Sequence, residues 1–124
     1  MPLGLLRDAV TVTPGQKIAY VTDAADTAAN RAAIIGLTRN ADILFIEAAF
    51  AEADAALAAE RAHLTTAAAG QIGHEAQVLR IEPFHFSPRY AGEEERMLNE
   101  TLAAFAGRSF EGQTERTQGV VATA

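Results

Sequence analysis

The sequence predicts a layered α/β unit with the element order β-α-β-α-α-β-α. Three observations predict it. Three apolar runs have the length of strands: Lys17 to Thr22 (KIAYVT), Ala41 to Ala48 (ADILFIEA) and Val78 to Phe84 (VLRIEPF). Alanine-rich stretches with helical spacing lie between and after them, so right-handed crossovers are expected to join the strands. Each run also delivers one polar residue to its distal end, Asp23, Glu47 and His85 in turn, and in such sheets functional residues sit at strand ends.

The elements follow in order. Met1 to Val12 is short and weakly apolar, and Pro14 and Gly15 make a turn before the first strand. A helix then starts at Asp26 or Thr27, either of which can cap it. Ala28, Ala32 and Ile35 form one stripe with Ala33 and Leu37 beside it, and the pattern fades near Asn40. In the second strand Glu47 is the only charge in the distal part, and a buried acid needs partners. Phe50 to Ala62 reads as helix, with Phe50, Ala53 and Leu57 inside. His63 lies in the connection that follows. Thr65 or Thr66 caps the next helix, which runs to about Ala76 and is weakened by Gly70 and Gly73 by about 1 kcal/mol each relative to alanine, so tertiary packing must hold it. The last helix spans Ala91 to Ala106, with Met97 or Leu98, Leu102 and Phe105 spaced for burial and Glu93, Glu94 and Glu95 at its positive end. His74, mid-helix between Gly73 and Glu75, is expected to face solvent.

Composition narrows the function. At 124 residues the chain is one domain at most, and its core must come from a few Ile, Leu, Val and Phe because alanine supplies little volume. The net charge of −6 argues against gripping nucleic acid through bulk electrostatics, so any polyanion must be held locally. There is no cysteine, which excludes disulfides and thiolate metal sites and leaves His, Asp and Glu as ligands. No apolar run approaches the roughly 20 residues needed to span a bilayer, and the N-terminus does not read as a signal peptide. A cytoplasmic protein with no membrane role is expected.

The stretch LRIEPFHFSPRY, Leu79 to Tyr90, is central. Pro88 cannot continue a ladder, so His85 stands where regular pairing stops. A lone histidine between two phenylalanines reads either as an ordinary packed histidine or as a ligand. With Asp23, Glu47 and His63 it would complete a set of two carboxylates and two imidazoles, which suits zinc or manganese and hydrolytic chemistry.

The wording of the motifs goes further. KIAYVTDAADT, ADILFIEAAF, HLT before a helix, and IEPFHFSPRY resemble, in order and spacing, the C-terminal half of the ribonuclease Z-like branch of the metallo-β-lactamase fold. There a strand ends in aspartate, a "HEATF" segment and a "HST" loop follow, and a later strand ends "THFSPRY". The resemblance covers about residues 17 to 106, and SPRY points to the tRNA 3′-processing group. It implies half of an αββα sandwich, without the N-terminal half. The implied organisation is a lead-in over residues 1–16, a partial metallo-β-lactamase-like domain over 17–107 and a flexible tail over 108–124.

Carried over by position, the resemblance implies that Asp23 and His85 are metal ligands and that Glu47 orients His63. That histidine would face the scissile phosphate and stabilise or protonate the leaving oxygen. Ser87 and Arg89 would line the pocket rim, where Arg89 holds a phosphate or anchors the turn to a backbone carbonyl. The implied substrate is an RNA, a tRNA precursor, or alternatively a small ester or lactone. Three departures matter. The usual Gly-Asp-Thr is Thr22-Asp23 here, with Asp26-Thr27 three positions on and Asp26 as the fallback ligand. The "HEATF" histidine and threonine are Ile46 and Ala49. The family's His-x-His-x-Asp-His motif is absent from the sequence, so metal bound by Asp23 and His85 alone is expected to be weak. A sheet face left without its partner invites self-association or a complementary half, and a non-catalytic oligomerisation or binding module is the alternative.

Overall fold

The computed structural model describes residues 10–13 and 16–107. The predicted Pro14–Gly15 turn and the tail over 108–124 lie outside them. Four strands form one sheet in the order β1 (Val10–Thr13), β2 (Ile18–Val21), β3 (Ile43–Glu47) and β4 (Arg80–Phe84). The pairs β2/β3 and β3/β4 are parallel, with Leu44 opposite Ala19 and Ile81. They are joined by α1 (Ala28–Thr38) on one crossover, and by α2 (Ala55–Glu60) and α3 (Thr66–Ala76) on the other. After β4, α4 (Glu94–Phe105) closes the unit. The alternation of strands and helices is therefore as the sequence predicts.

β1 is not among the predicted elements. It lies within the stretch expected to be a lead-in and pairs antiparallel with β2, Val10 opposite Val21. Its signal is four consecutive β-branched residues, VTVT, in a run too short to stand out.

One face of the sheet carries the core. Ala19, Val21, Leu44, Ile46 and Ile81 point into a cluster with Ile34 of α1, Ala68, Ala69, Ile72 and Ala76 of α3, and Phe105 of α4. The small residues permit close approach. A Cβ on Gly70 would sit 2.6 Å from Ala104 Cβ and 2.8 Å from the Phe105 nitrogen, so this glycine is where α3 and α4 touch. The packing that α3 needs to offset its glycines is thus supplied by α4. On the other face Tyr20 is 43% exposed, and its ring lies 6.2 Å from that of Phe45 and 4.9 Å from that of Phe84. Among the described residues that face is open, with this aromatic group beside the exposed Arg80–Glu82 ion pair at 2.7 Å.

Two helix stripes differ from expectation. In α1 the buried positions are Asn30, Ile34 and Thr38, while Ala28 and Ala32 are exposed. Two of the three are polar, which hides them from a hydrophobic pattern: Asn30 Nδ2 donates to the Ala25 carbonyl at 3.0 Å and Thr38 Oγ1 to the Ile34 carbonyl at 2.8 Å, while Asn30 Oδ1 is buried without a hydrogen-bond partner among the described residues. The helix expected from Phe50 begins only after a 3-10 turn at Glu52–Asp54, and Ala53 is exposed where Ala58 is buried. Phe50 is extended because it bridges in parallel to Thr65, a long-range pairing that overrides local helix propensity. In α4, Met97 rather than Leu98 is fully buried, alongside Thr101, Ala104 and Phe105.

Candidate active site at the strand ends

The site is built by backbone that continues pairing beyond β3. Ala48 N–H donates to the Phe84 carbonyl at 3.0 Å and Ser87 N–H to the Ala49 carbonyl at 2.9 Å, which ties the His85 turn to one side of this segment. On the other side Thr66 N–H donates to the Phe50 carbonyl at 2.8 Å, which ties in the connection that carries His63. Glu47 therefore lies between two histidine-bearing turns.

Each turn is shaped locally. The end of α2 is a Schellman motif: Ala62 has φ 60°, its N–H reaches the Ala59 carbonyl, and His63 N–H donates to the Ala58 carbonyl at 2.9 Å. Asp23 and His85 also lie in the left-handed region, with φ of 57° and 65°. Aspartate and histidine enter that region more readily than branched residues, and such backbone is concentrated at functional sites.

The side chains converge on Glu47, which is 2% exposed. Its Oε1 accepts from Thr22 Oγ1 at 2.8 Å and from Asp23 N–H at 3.0 Å. Its Oε2 lies 2.6 Å from His63 Nδ1, and neither atom has another hydrogen-bond partner among the described residues. His85 Nδ1 is 3.5 Å from Oε1. Burial pushes the Glu47 carboxyl up, but the Asp23 N–H, the Thr22 hydroxyl and the two imidazoles outweigh it and hold the carboxyl below its usual value.

Asp23, Glu47, His63 and His85 are thus brought together as predicted. One donor atom from each of Asp23, Glu47 and His63 lies within 4.8 Å of the others, and His85 flanks this trio. His85 is no packed histidine: its side chain is 63% exposed, with its ring stacked beside that of Phe84. Asp26, the fallback ligand, is turned away and pairs with Arg31 at 3.0 Å. Ser87 Oγ accepts from Arg89 N–H at 3.3 Å and caps a 3-10 turn over Pro88–Tyr90. The Arg89 guanidinium makes no bond to a backbone carbonyl among the described residues, contrary to the anchor reading, and sits 5.9 Å from the Tyr90 ring centre. His74 is exposed as expected, yet its Nδ1 pairs with the Phe105 carbonyl at 3.0 Å.

Sequence reasoning misses two contributors. Thr22 stands out in the sequence only as a departure from the family pattern, although a hydroxyl beside Asp23 at a strand end is a usable signal. Tyr90 is buried beneath the site, where its hydroxyl donates to Asp54 Oδ2 and accepts from Ala51 N–H at 3.0 Å. The Phe50 ring lies 6.4 Å from Tyr90 and 6.0 Å from His63, so this second apolar cluster supports the His63 turn.

The donor set suits a divalent ion of borderline hardness. It offers oxygen and imidazole nitrogen without thiolate. Both Glu47 oxygens are engaged by Thr22, Asp23 and His63, which makes Glu47 an orienting acid, whereas the Asp23 carboxylate and the outer edge of His85 remain available. These residues fit part of a metal site.

The fold and this site define the class. The metallo-β-lactamase-fold protein YhfI from Bacillus subtilis superposes on 80% of the chain with a TM-score of 0.63 at 20% identity, using 42% of its own length. Human tRNase Z, short form, matches 64% of the chain with a TM-score of 0.56 at 28% identity, over 30% of its own length. The chain has part of the metallo-β-lactamase fold. Among sequence relatives, ribonuclease Z of Thermobifida fusca is 45% identical over 105 residues, 82% of this chain and 31% of that protein. Ribonuclease Z of Microcystis aeruginosa is 46% identical over 76 residues, 61% of this chain and 23% of that protein. No family model matches the chain. The chain is a ribonuclease Z-like portion of the metallo-β-lactamase fold, spanning less than a third of the length of these relatives.

Proposed function

We propose that this chain supplies part of the active site of a ribonuclease Z-like phosphodiesterase. Asp23 and His85 would hold zinc or manganese, and His63, oriented by Glu47, would donate a proton to the leaving oxygen. The observation that carries this reading is the 2.6 Å contact between the buried Glu47 and His63, set between two strand-end residues with left-handed backbone. Glu47 holds Nδ1 of His63, which leaves Nε2 as the atom that faces a substrate. The bound ion would supply Lewis-acid stabilisation of the phosphoryl group. The substrate class we favour is an RNA with a 3′ extension, a tRNA precursor, acted on in the cytoplasm. With a net charge of −6 the chain offers little bulk attraction for it, so recognition would depend on local contacts, of which Arg89 at the rim is one candidate.

Two ligands do not make a full catalytic site. The remaining donors would come from a complementary half that brings a His-x-His-x-Asp-His segment and covers the open face around Tyr20, Phe45 and Phe84.

Complementation tests this reading. The chain is mixed with such a half and with zinc or manganese, and cleavage of precursor tRNA and of bis(p-nitrophenyl) phosphate is followed. Activity that falls about 100-fold or more in His63→Ala supports the reading. No activity on either substrate sinks it.

A second reading is favoured by the open aromatic face: a non-catalytic module that self-associates or binds a partner through it. Metal content separates the two. Zinc retained after purification and lost in His85→Ala favours the enzyme, whereas a metal-free dimer favours the module. Hydrolysis of a lactone or other small ester in place of the phosphodiester would mark a hydrolase of another specificity.

A further inference from the structure

We infer that Thr22 is a positioning residue whose hydroxyl sets the plane of the Glu47 carboxylate, so that Oε2 is presented to His63 Nδ1. The inference deepens the reading of Glu47 and His63 as a working pair and rests on it. Oε1 has two donors of different kinds, the Asp23 N–H at 3.0 Å and the Thr22 hydroxyl at 2.8 Å. The first belongs to the backbone and survives any side-chain change. One hydrogen bond leaves a carboxylate free to pivot about the bonded oxygen, and a second from another direction removes that freedom.

The pivot would matter because a competitor stands close. His85 Nδ1 is 3.5 Å from Oε1, just beyond a hydrogen bond. With the Thr22 hydroxyl in place, Oε1 is occupied by two strong donors, Oε2 is left to His63, and His85 remains free to turn its ring outward. Without it, a small rotation would bring His85 onto the carboxylate at the expense of His63. The position and shape of Thr22 suit this role. It directly follows β2, and its β-branched side chain is stiff at χ1, so the methyl group presets the hydroxyl direction. The glycine expected at this position from the family resemblance has no hydroxyl to offer.

The consequence is a fixed tautomer. In the neutral ring His63 should carry its proton on Nδ1 and leave Nε2 outward-facing, the nitrogen that must take up a second proton before it can donate to the leaving oxygen.

The experiment is imidazole ¹⁵N NMR of the full chain at neutral pH, comparing Thr22→Val, which keeps the shape and loses the hydroxyl, with Thr22→Ser, which keeps the hydroxyl and loses the methyl. In Thr22→Val the fraction of His63 protonated on Nε2 should rise about tenfold, as expected for the loss of one hydrogen bond to a charged group. Thr22→Ser should restore the native pattern. An unchanged tautomer in Thr22→Val overturns the inference, as does an equal shift in Val and Ser. If Thr22→Val does not fold while Thr22→Ser does, the hydroxyl is structural and the inference is likewise overturned. The readout needs neither metal nor turnover, so its failure is distinguishable from failure of the phosphodiesterase reading.

Discussion

The α3–α4 contact and the ends of β2, β3 and β4 belong to the same sheet unit and solve opposite problems. At the first, backbone meets backbone through Gly70, the neighbours are alanine, threonine and phenylalanine, and the buried Thr101 hydroxyl bonds back to the Met97 carbonyl at 3.0 Å. At the second, two residues hold left-handed backbone, a carboxylate is buried, and two imidazoles compete for it. One region is arranged for density. The other keeps polar groups and strain that density would not require, which is how a site differs from a core.

Substitutions can break or sharpen that contrast. Gly70→Val should have the largest effect, because its side chain would overlap Ala104 and the Phe105 backbone; a loss of about 3 kcal/mol is expected in urea unfolding. If the loss were only a few tenths, the helix contact would not be close-packed.

Glu47→Gln should cost less, about 2 kcal/mol at neutral pH, through weakened bonds from Thr22, Asp23 and His63. It should also remove a pH dependence. The Glu47 carboxyl lies below its unfolded value in the folded chain, so its stabilisation is fully present above about pH 4.3 and is lost as pH falls through the folded pKa. Stability measured from pH 6 to 3 should therefore fall more steeply in the native chain than in Glu47→Gln. Parallel curves would mean that the carboxylate is not held as described.

Tyr90→Phe should cost about 1.5 kcal/mol, since it removes the hydroxyl that bridges Asp54 and the Ala51 N–H. Heteronuclear spectra should show the changes concentrated in the turns around His63 and His85 and not in α1. A uniform change would deny the cluster its supporting role.

Ala62→Gly should have the smallest effect and the opposite sign, a gain of roughly 0.5 kcal/mol in the same urea assay. Glycine relieves the left-handed strain at φ 60° but gives back part of that gain through its freer unfolded chain. A loss instead would show that the alanine methyl packs against something the Schellman turn needs.

Much of this is legible in the sequence. The three parallel strands follow from local pattern and order, which also narrow two caps to Asp26 or Thr27 and Thr65 or Thr66, where the structure selects Thr27 and Thr65; the meeting of Asp23, Glu47, His63 and His85 follows from strand-end placement together with the motif resemblance. Motif wording carries the kinship to ribonuclease Z. Other features are not legible because they depend on what a residue meets across the fold. Phe50 is strand-like only because Thr65 pairs with it, the Asn30 and Thr38 donor groups are buried where they find carbonyls across the turn and along the helix, and VTVT becomes a strand only beside β2.

The sequence by itself determined the element order and the chemical types at the strand ends, because backbone propensity and residue identity are properties of neighbours along the chain. The motif resemblance implies the pairing of Glu47 with His63, but tertiary structure alone decided that Thr22 and the Asp23 N–H share the other Glu47 oxygen, with His85 standing close by, because hydrogen-bond direction and burial exist only once four separated segments are packed together.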